Sequence, residues 1–193
     1  MCIRDSPYLA ERGLSAETIQ SFGLGFCGKG LLAGHIAIPI HNADGKLVAY
    51  AGRWPGSPPD GKEKYKLPPG FKKSLELFNL HRALAEEAGS PWVVVEGFFD
   101  CVHLWQHGLR RVVALMGSTM STAQETLLQQ HLRPQDRVIL MLDEDDAGRR
   151  GRDDLAVRLA RFAYVRVHRF EKEGAQPDSL SPEEVRQIQG GTP

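Results

Sequence analysis

From residue 92 onward, short apolar runs alternate with stretches of helical period. WVVVEG at 92–97, RVVALMG at 111–117, RVILMLD at 137–143 and AYVRVHRF at 163–170 each read as a short buried strand. Between them, residues 98–107 read as a helix ended by Gly108. Residues 121–132 read as a helix capped by Ser121 with Pro134 beyond it, and residues 147–161 as another. A last helix is expected near 182–189. Short apolar strands that alternate with helices predict a parallel sheet covered on both faces.

The first half has a different texture. In GHIAIPIHNADGKLVAYAGR at 34–53, Ile36, Ile38 and Ile40 alternate, Asp44 and Gly45 make a turn, and 47–50 return. That is a hairpin pattern. Residues 15–22 read as a short helix capped by Ser15. Residues 54–74 form a long loop, a length that in a compact domain marks function or disorder. The change of texture divides the chain into an N-terminal mixed lobe at 7–88, an α/β lobe at 89–180 and a C-terminal helix or tail at 181–193. Residues 1–6 fit none of these patterns and stay outside the fold reading.

Composition narrows the class. Hydrophobic residues make up 41% and charged residues 25% of the 193, as in ordinary globular proteins. No apolar run approaches the ~20 residues of a membrane span, and the start lacks a secretory pattern. Cys2, Cys27 and Cys101 are far apart, with no CxxC pair. A structural zinc site needs four convergent ligands, so no zinc site is expected. Sparse cysteines suit the reducing cytoplasm. The 24 basic and 24 acidic residues cancel, yet eight basic residues against three acidic ones fall between Lys46 and Arg82. That local excess suits a surface facing phosphates.

The acids are placed more informatively. Glu96 ends the first strand of the second half, and Asp143 and Asp145 end the third. In a parallel sheet, ligands bind outside the carboxyl ends of the strands, so these three can converge across a long stretch of sequence. Hard carboxylate oxygens suit Mg²⁺, which bridges to substrate phosphates. Adjacent carboxylates repel unless a cation or solvent relieves them. Elsewhere the signals are weaker. His103 and His107 stand four apart on one helix with no evident partner ligand. GFCGKG at 25–30 resembles a phosphate loop only faintly. Trp54 and Tyr65 can stack bases or simply pack.

VVVEGFFD at 93–100 and LMLDEDDAGRRG at 140–151 resemble the two signature motifs of the TOPRIM domain, shared by DnaG-type primases, topoisomerases, OLD-type nucleases and recombination proteins. Asp100 matches the aspartate of the primase form of the first motif. LMGSTMS at 115–121 resembles the segment after the primase domain's second strand. Upstream, residues 8–26, the hairpin at 35–53, KYKLPP at 64–69 and LELFNLHRA at 75–83 resemble the DnaG-type primase catalytic core in the same order. The resemblance implies an α/β TOPRIM domain with a four-stranded, mainly parallel sheet, preceded by a small mixed α+β lobe. It implies template-directed synthesis of short RNA primers from ribonucleoside triphosphates on single-stranded DNA, with Mg²⁺ or Mn²⁺. Glu96, Asp143 and Asp145 become the catalytic, metal-binding acids, with Asp100, Glu173 and Asp178 in support. Arg53, Lys64 and Lys66 become contacts to nucleotide or template phosphates.

Three departures from the family pattern stand out. Glu144 replaces the common glycine between the two aspartates. Gln176 stands where a metal-facing aspartate is expected. The residues given hold no match to the zinc-binding module or the helicase-binding domain of the family, which implies help in trans from a zinc-bearing module or a helicase. Two alternatives share the same acids: a TOPRIM metal-dependent nuclease, and a catalytically degenerate module that binds single strands. The first lacks support from the N-terminal half; Glu144 and Gln176 argue for the second.

Overall fold

The computed structural model describes residues 2–3, 6–170 and 174–190. The chain folds as two compact units, Met1–His41 with Lys46–Phe71, and Asn42–Gly45 with Lys72–Pro193.

The first unit is a five-stranded antiparallel sheet with two short helices. Its strands are β1 (Cys2–Ile3), β2 (Gly25–Cys27), β3 (His35–His41), β4 (Leu47–Arg53) and β5 (Tyr65–Lys66), in the spatial order β1-β2-β3-β4-β5. The hairpin β3–β4 forms as its pattern predicts, with Ile38 opposite Ala51 and Gly45 at φ 77° in the turn. Only glycine takes that φ without steric cost. β3 is buried on both faces, Ala37 at 2% exposure as well as the three isoleucines, because it is the central strand. The helices are α1 (Pro7–Glu11) and α2 (Ala16–Phe22). Ser15 Oγ accepts from the Thr18 amide at 3.1 Å and Gly23 closes α2 in the left-handed region, a matched cap at each end. Residues 2–3, set aside in the sequence, pair with β2 in register Cys2 to Cys27. Pattern reading misses two-residue strands of this kind.

The second unit is the expected α/β layer. Its helices are α3 (Leu80–Ala85), α4 (Phe98–Gln106), α5 (Thr122–Gln129), α6 (Asp146–Leu159) and α7 (Pro182–Gly190). Its strands are β6 (Trp92–Val95), β7 (Val112–Ala114), β8 (Arg137–Met141) and β9 (Tyr164–Val167). All pairings are parallel, in the order β7-β6-β8-β9. The runs of β6 and β7 and most of β8 are apolar because helices cover both faces, whereas the edge strand β9 carries Arg166 and alternates between exposed and half-buried residues. Trp92, Val94, Val138 and Leu140 are fully buried, and Leu77, Leu80 and Ala83 join their cluster from upstream. Each such aliphatic side chain contributes roughly 1.5–3 kcal/mol. At the start of β6, the Arg111 guanidinium lies 4.2 Å over the Trp92 ring and donates to Ser90 O at 3.0 Å. Ser121 and Gln124 cap α5 reciprocally at 3.1 and 3.0 Å, a capping box. Among the described residues, no helix is long and apolar enough to cross a membrane.

Candidate functional site

β6 and β8 are neighbours in register, Val95 opposite Met141. The residues just beyond their carboxyl ends therefore meet. Glu96 Oε1 accepts the Asp143 backbone N–H at 3.1 Å. Asp145 is the N-cap of α6, its Oδ1 accepting the Gly148 amide at 2.8 Å. A carboxylate there is stabilised by the helix dipole and by otherwise orphaned amides. Gly148 sits against both acids. A Cβ at that position would run into the Asp143 carbonyl oxygen and come within 2.6 Å of Glu96 Oε1. So the family-like Asp-Ala-Gly segment has a steric reason: only a glycine lets α6 start this close to β6.

Charge is crowded here. Burial, followed by repulsion from Asp143 and Asp145, pushes Glu96 up to about 7. Asp100 is 7% exposed and accepts from the Gly97 amide at 3.0 Å through Oδ2. Burial, then repulsion from Asp178 and Asp143, pushes it up to about 7 as well. Asp178, in the single turn Pro177–Ser179, also offers its backbone N–H to Asp100. Of the supporting acids named from sequence, Asp100 and Asp178 thus stand together, and Glu173 lies outside the described residues.

Two of the three departures from the family pattern, Glu144 and Gln176, have structural accounts. Glu144 does not face its aspartate neighbours. Its carboxylate closes on Arg152, Nη1 to Oε2 at 2.9 Å, with the side chains 14% and 3% exposed. Gln176 points into the site and donates from Nε2 to Asp143 Oδ2 at 2.8 Å. Sequence reading missed Arg152. The signal for it is that a charge occupies the apolar stripe of α6, which buries Gly148, Gly151, Arg152, Leu155 and Leu159, directly after an acidic run.

Among the described residues, no three His, Cys, Asp or Glu side chains stand close enough together to hold an ion as they are. The donor chemistry nevertheless fits a hard divalent cation. Oxygens alone gather at the strand ends, burial and then repulsion from Asp143 and Asp145 raise Glu96, and the glycine leaves room beside them. Mg²⁺ commonly takes only one or two protein carboxylates and completes its shell with water and phosphate.

The second unit also places a lysine that the sequence reading left within the basic run. Lys73 Nζ donates to Met116 O at 2.8 Å. Met116 has φ 60°, a costly conformation without glycine that clusters at functional sites. The next residue, Gly117, donates its amide to Glu96 O at 3.2 Å. His103 Nε2 meets Leu180 O at 2.8 Å, which ties α4 to the segment carrying Asp178.

In the first unit, the expected phosphate contacts separate. Arg53 is 5% exposed, lies about midway between the Tyr8 and Tyr65 rings at 5.5 and 5.4 Å, and donates to the carbonyls of Trp54 and Gly56. It anchors the long loop from beneath. Lys64 and Lys66 are exposed, and Lys66 Nζ donates to Leu31 O at 2.8 Å. Trp54 packs edge-on against His35 at 4.9 Å.

Comparison with known proteins agrees with this geometry. The Toprim-like family profile matches residues 93–180. The chain is 31% identical over 177 residues to the DNA primase of Legionella pneumophila, an alignment covering 74% of this chain and 30% of that protein. The structure of the Aquifex aeolicus primase, with its zinc-binding and RNA polymerase domains, superposes with a TM-score of 0.80 at 25% identity, over 94% of this chain and 54% of that one. A DnaG primase catalytic domain bound to single-stranded DNA superposes at 0.78 over 95% of this chain and 71% of that one. At 24% identity, that match speaks to fold alone. The chain spans about a third of the length of the curated relatives it matches. Motifs, strand order and overall likeness run together along nearly all of the sequence, and the chain belongs to the DnaG-type primase family, as a catalytic core with a Toprim-like domain.

Proposed function

We propose that this chain is a nucleotidyltransferase core that builds short RNA primers on single-stranded DNA from ribonucleoside triphosphates in the cytoplasm. The observation that carries the reading is the meeting of Glu96 with the Asp143–Asp145 segment at the adjacent ends of β6 and β8, in a chain whose N-terminal half also resembles primases. Glu96, Asp143 and Asp145 would hold Mg²⁺ or Mn²⁺. Such a cation supplies positive charge to the attacking 3′-oxygen and to the departing pyrophosphate. The chain's own part is alignment. The Gly148 amide keeps Asp145 in place and the Asp143 amide keeps Glu96 in place, so the fold itself fixes both acids. Preformed geometry of this kind spares the reaction the cost of ordering its charges.

Lys64 and Lys66 are the residues for template or nucleotide phosphates. Arg53, held beneath its loop, supports that loop and leaves phosphate contact to the lysines. Such contacts position a strand without reading its bases, so a start site has to be chosen by something else. A zinc-bearing module or a helicase acting in trans suits that need. Incubation with single-stranded DNA, labelled ribonucleotides and Mg²⁺ or Mn²⁺ tests the reading. Short RNA products are expected; shortened template without RNA would instead indicate a nuclease.

A further inference from the structure

We propose that Gln176 is a positioning residue that limits the acidic site to one divalent cation. An ionised carboxylate can only accept hydrogen bonds, so the amide group facing Asp143 Oδ2 at 2.8 Å has to be the NH₂. Its donor hydrogens occupy the oxygen that a second cation would need. Two-metal sites hold their ions about 3.5–4 Å apart, a spacing that a carboxylate spans by giving one oxygen to each ion. Asp143 is central enough for that role, since its own amide is tied to Glu96. With one lone pair of Oδ2 held by Gln176, Oδ2 is the weaker of the two oxygens toward a second cation, and Oδ1 is the one Asp143 offers first.

Gln176 is built to stay there. Its carbonyl accepts from the Ser179 amide at 2.9 Å and from Ser179 Oγ at 2.7 Å. The residues before it are laced to the acidic run: the Glu144 amide donates to Ala175 O at 3.2 Å, and the Gly174 amide donates to Glu144 O at 3.1 Å. Glu144 itself is fixed by Arg152. The segment that delivers the amide and the segment that receives it are therefore one hydrogen-bonded unit. The side chain contributes no charge, so it orients a ligand carboxylate without adding a further negative group beside Glu96 and Asp145. The backbone of Glu144 thus holds the segment whose side chain, Gln176, reaches Asp143.

The inference rests on reading Glu96, Asp143 and Asp145 as cation-binding acids. It is tested by titrating the whole chain with Mn²⁺ alone and counting bound ions by electron paramagnetic resonance. Gln176→Met keeps the length of the side chain and removes the donor; Gln176→Glu keeps the shape and adds a carboxylate. The unmodified chain should bind one ion. Gln176→Met should bind its first ion about tenfold more weakly, the usual scale for losing a group that orients a ligand, and with Oδ2 released it should take up a second ion at higher Mn²⁺. Gln176→Glu should bind two. The proposal is overturned by two ions on the unmodified chain, by unchanged affinity in Gln176→Met, or by a single ion in Gln176→Glu. If the unmodified chain shows no saturable Mn²⁺ binding, the cation-site reading itself fails and takes this inference with it.

Discussion

Glu144 and Arg152 form a nearly dry ion pair at 2.9 Å, across two turns of α6. It draws one of four consecutive acids out of the site and into the packing. Breaking a buried pair on one side strands the other charge, at a cost of about 3–5 kcal/mol. Arg152→Ala should therefore lower the unfolding free energy by about that much in urea titrations. Replacing both, Glu144→Gly with Arg152→Met, should recover most of the loss, because charge and partner leave together. A mild Arg152→Ala would show that the pair is not formed in solution.

The two aspartates should separate in their effects on stability. Asp143→Asn and Asp145→Asn should both abolish metal-dependent synthesis. Asp145→Ala should in addition cost about 1 kcal/mol, since it removes the cap that the Gly148 amide donates to. Repulsion among adjacent carboxylates, taken alone, would have removal of either acid leave the fold intact. Paired assays of primer yield and thermal unfolding check the difference.

Gly148→Ala is the smallest change expected to destroy the site. Its methyl group would collide with the Asp143 carbonyl and crowd Glu96 Oε1, pushing α6 away from β6. Elsewhere in a helix, the same exchange stabilises by up to about 1 kcal/mol. A lower melting temperature together with weaker Mn²⁺ binding is the expected result; a more stable, active protein would contradict the close approach.

Glu96 and Asp100 give a pH dependence to the metal-free chain. Both sit near 7 when folded, against ordinary values of 4.5 and 3.8. Below those ordinary values they are protonated in either state and cost nothing. As pH rises, the unfolded chain releases these protons first, so their contribution to stability is progressively lost up to and through pH 7. For Glu96 the loss is on the order of 2 kcal/mol. In chelator, Glu96→Gln should therefore gain stability over the unmodified chain at pH 8 but not at pH 4.

In the first unit, Lys64→Ala with Lys66→Ala should weaken single-strand binding and flatten its dependence on salt, because fewer counterions are released. Arg53→Ala should act through stability, by releasing two ring contacts and two carbonyls. A salt slope that shifts with Arg53→Ala as much as with the lysine pair would reverse these roles.

The sequence made the second unit legible because its inner strands are mostly apolar runs and its helices carry caps, such as Ser121 with Gln124. Glu96 and Asp143 could be brought together in advance because parallel strands put their carboxyl ends on one side. What stayed hidden depends on direction. Nothing in the order of residues says that Glu144 turns back to Arg152, that Gln176 turns in toward Asp143, or that Arg53 lies under its loop between two tyrosines. Short elements were hidden too: β1 and β5 have two residues each, too few for any periodicity.

Gly151 repeats farther along α6 what Gly148 does at its start. A Cβ there would strike the Ser118 carbonyl oxygen, so two positions three residues apart on one helix are closed to every side chain. Mutation can therefore explore the acid-bearing layer only by breaking it. Change that leaves the fold intact has more room in tolerant ground, such as the exposed residues of the long loop in the first unit. The chain thus sets a layer with almost no room for substitution beside a loop with a good deal of it.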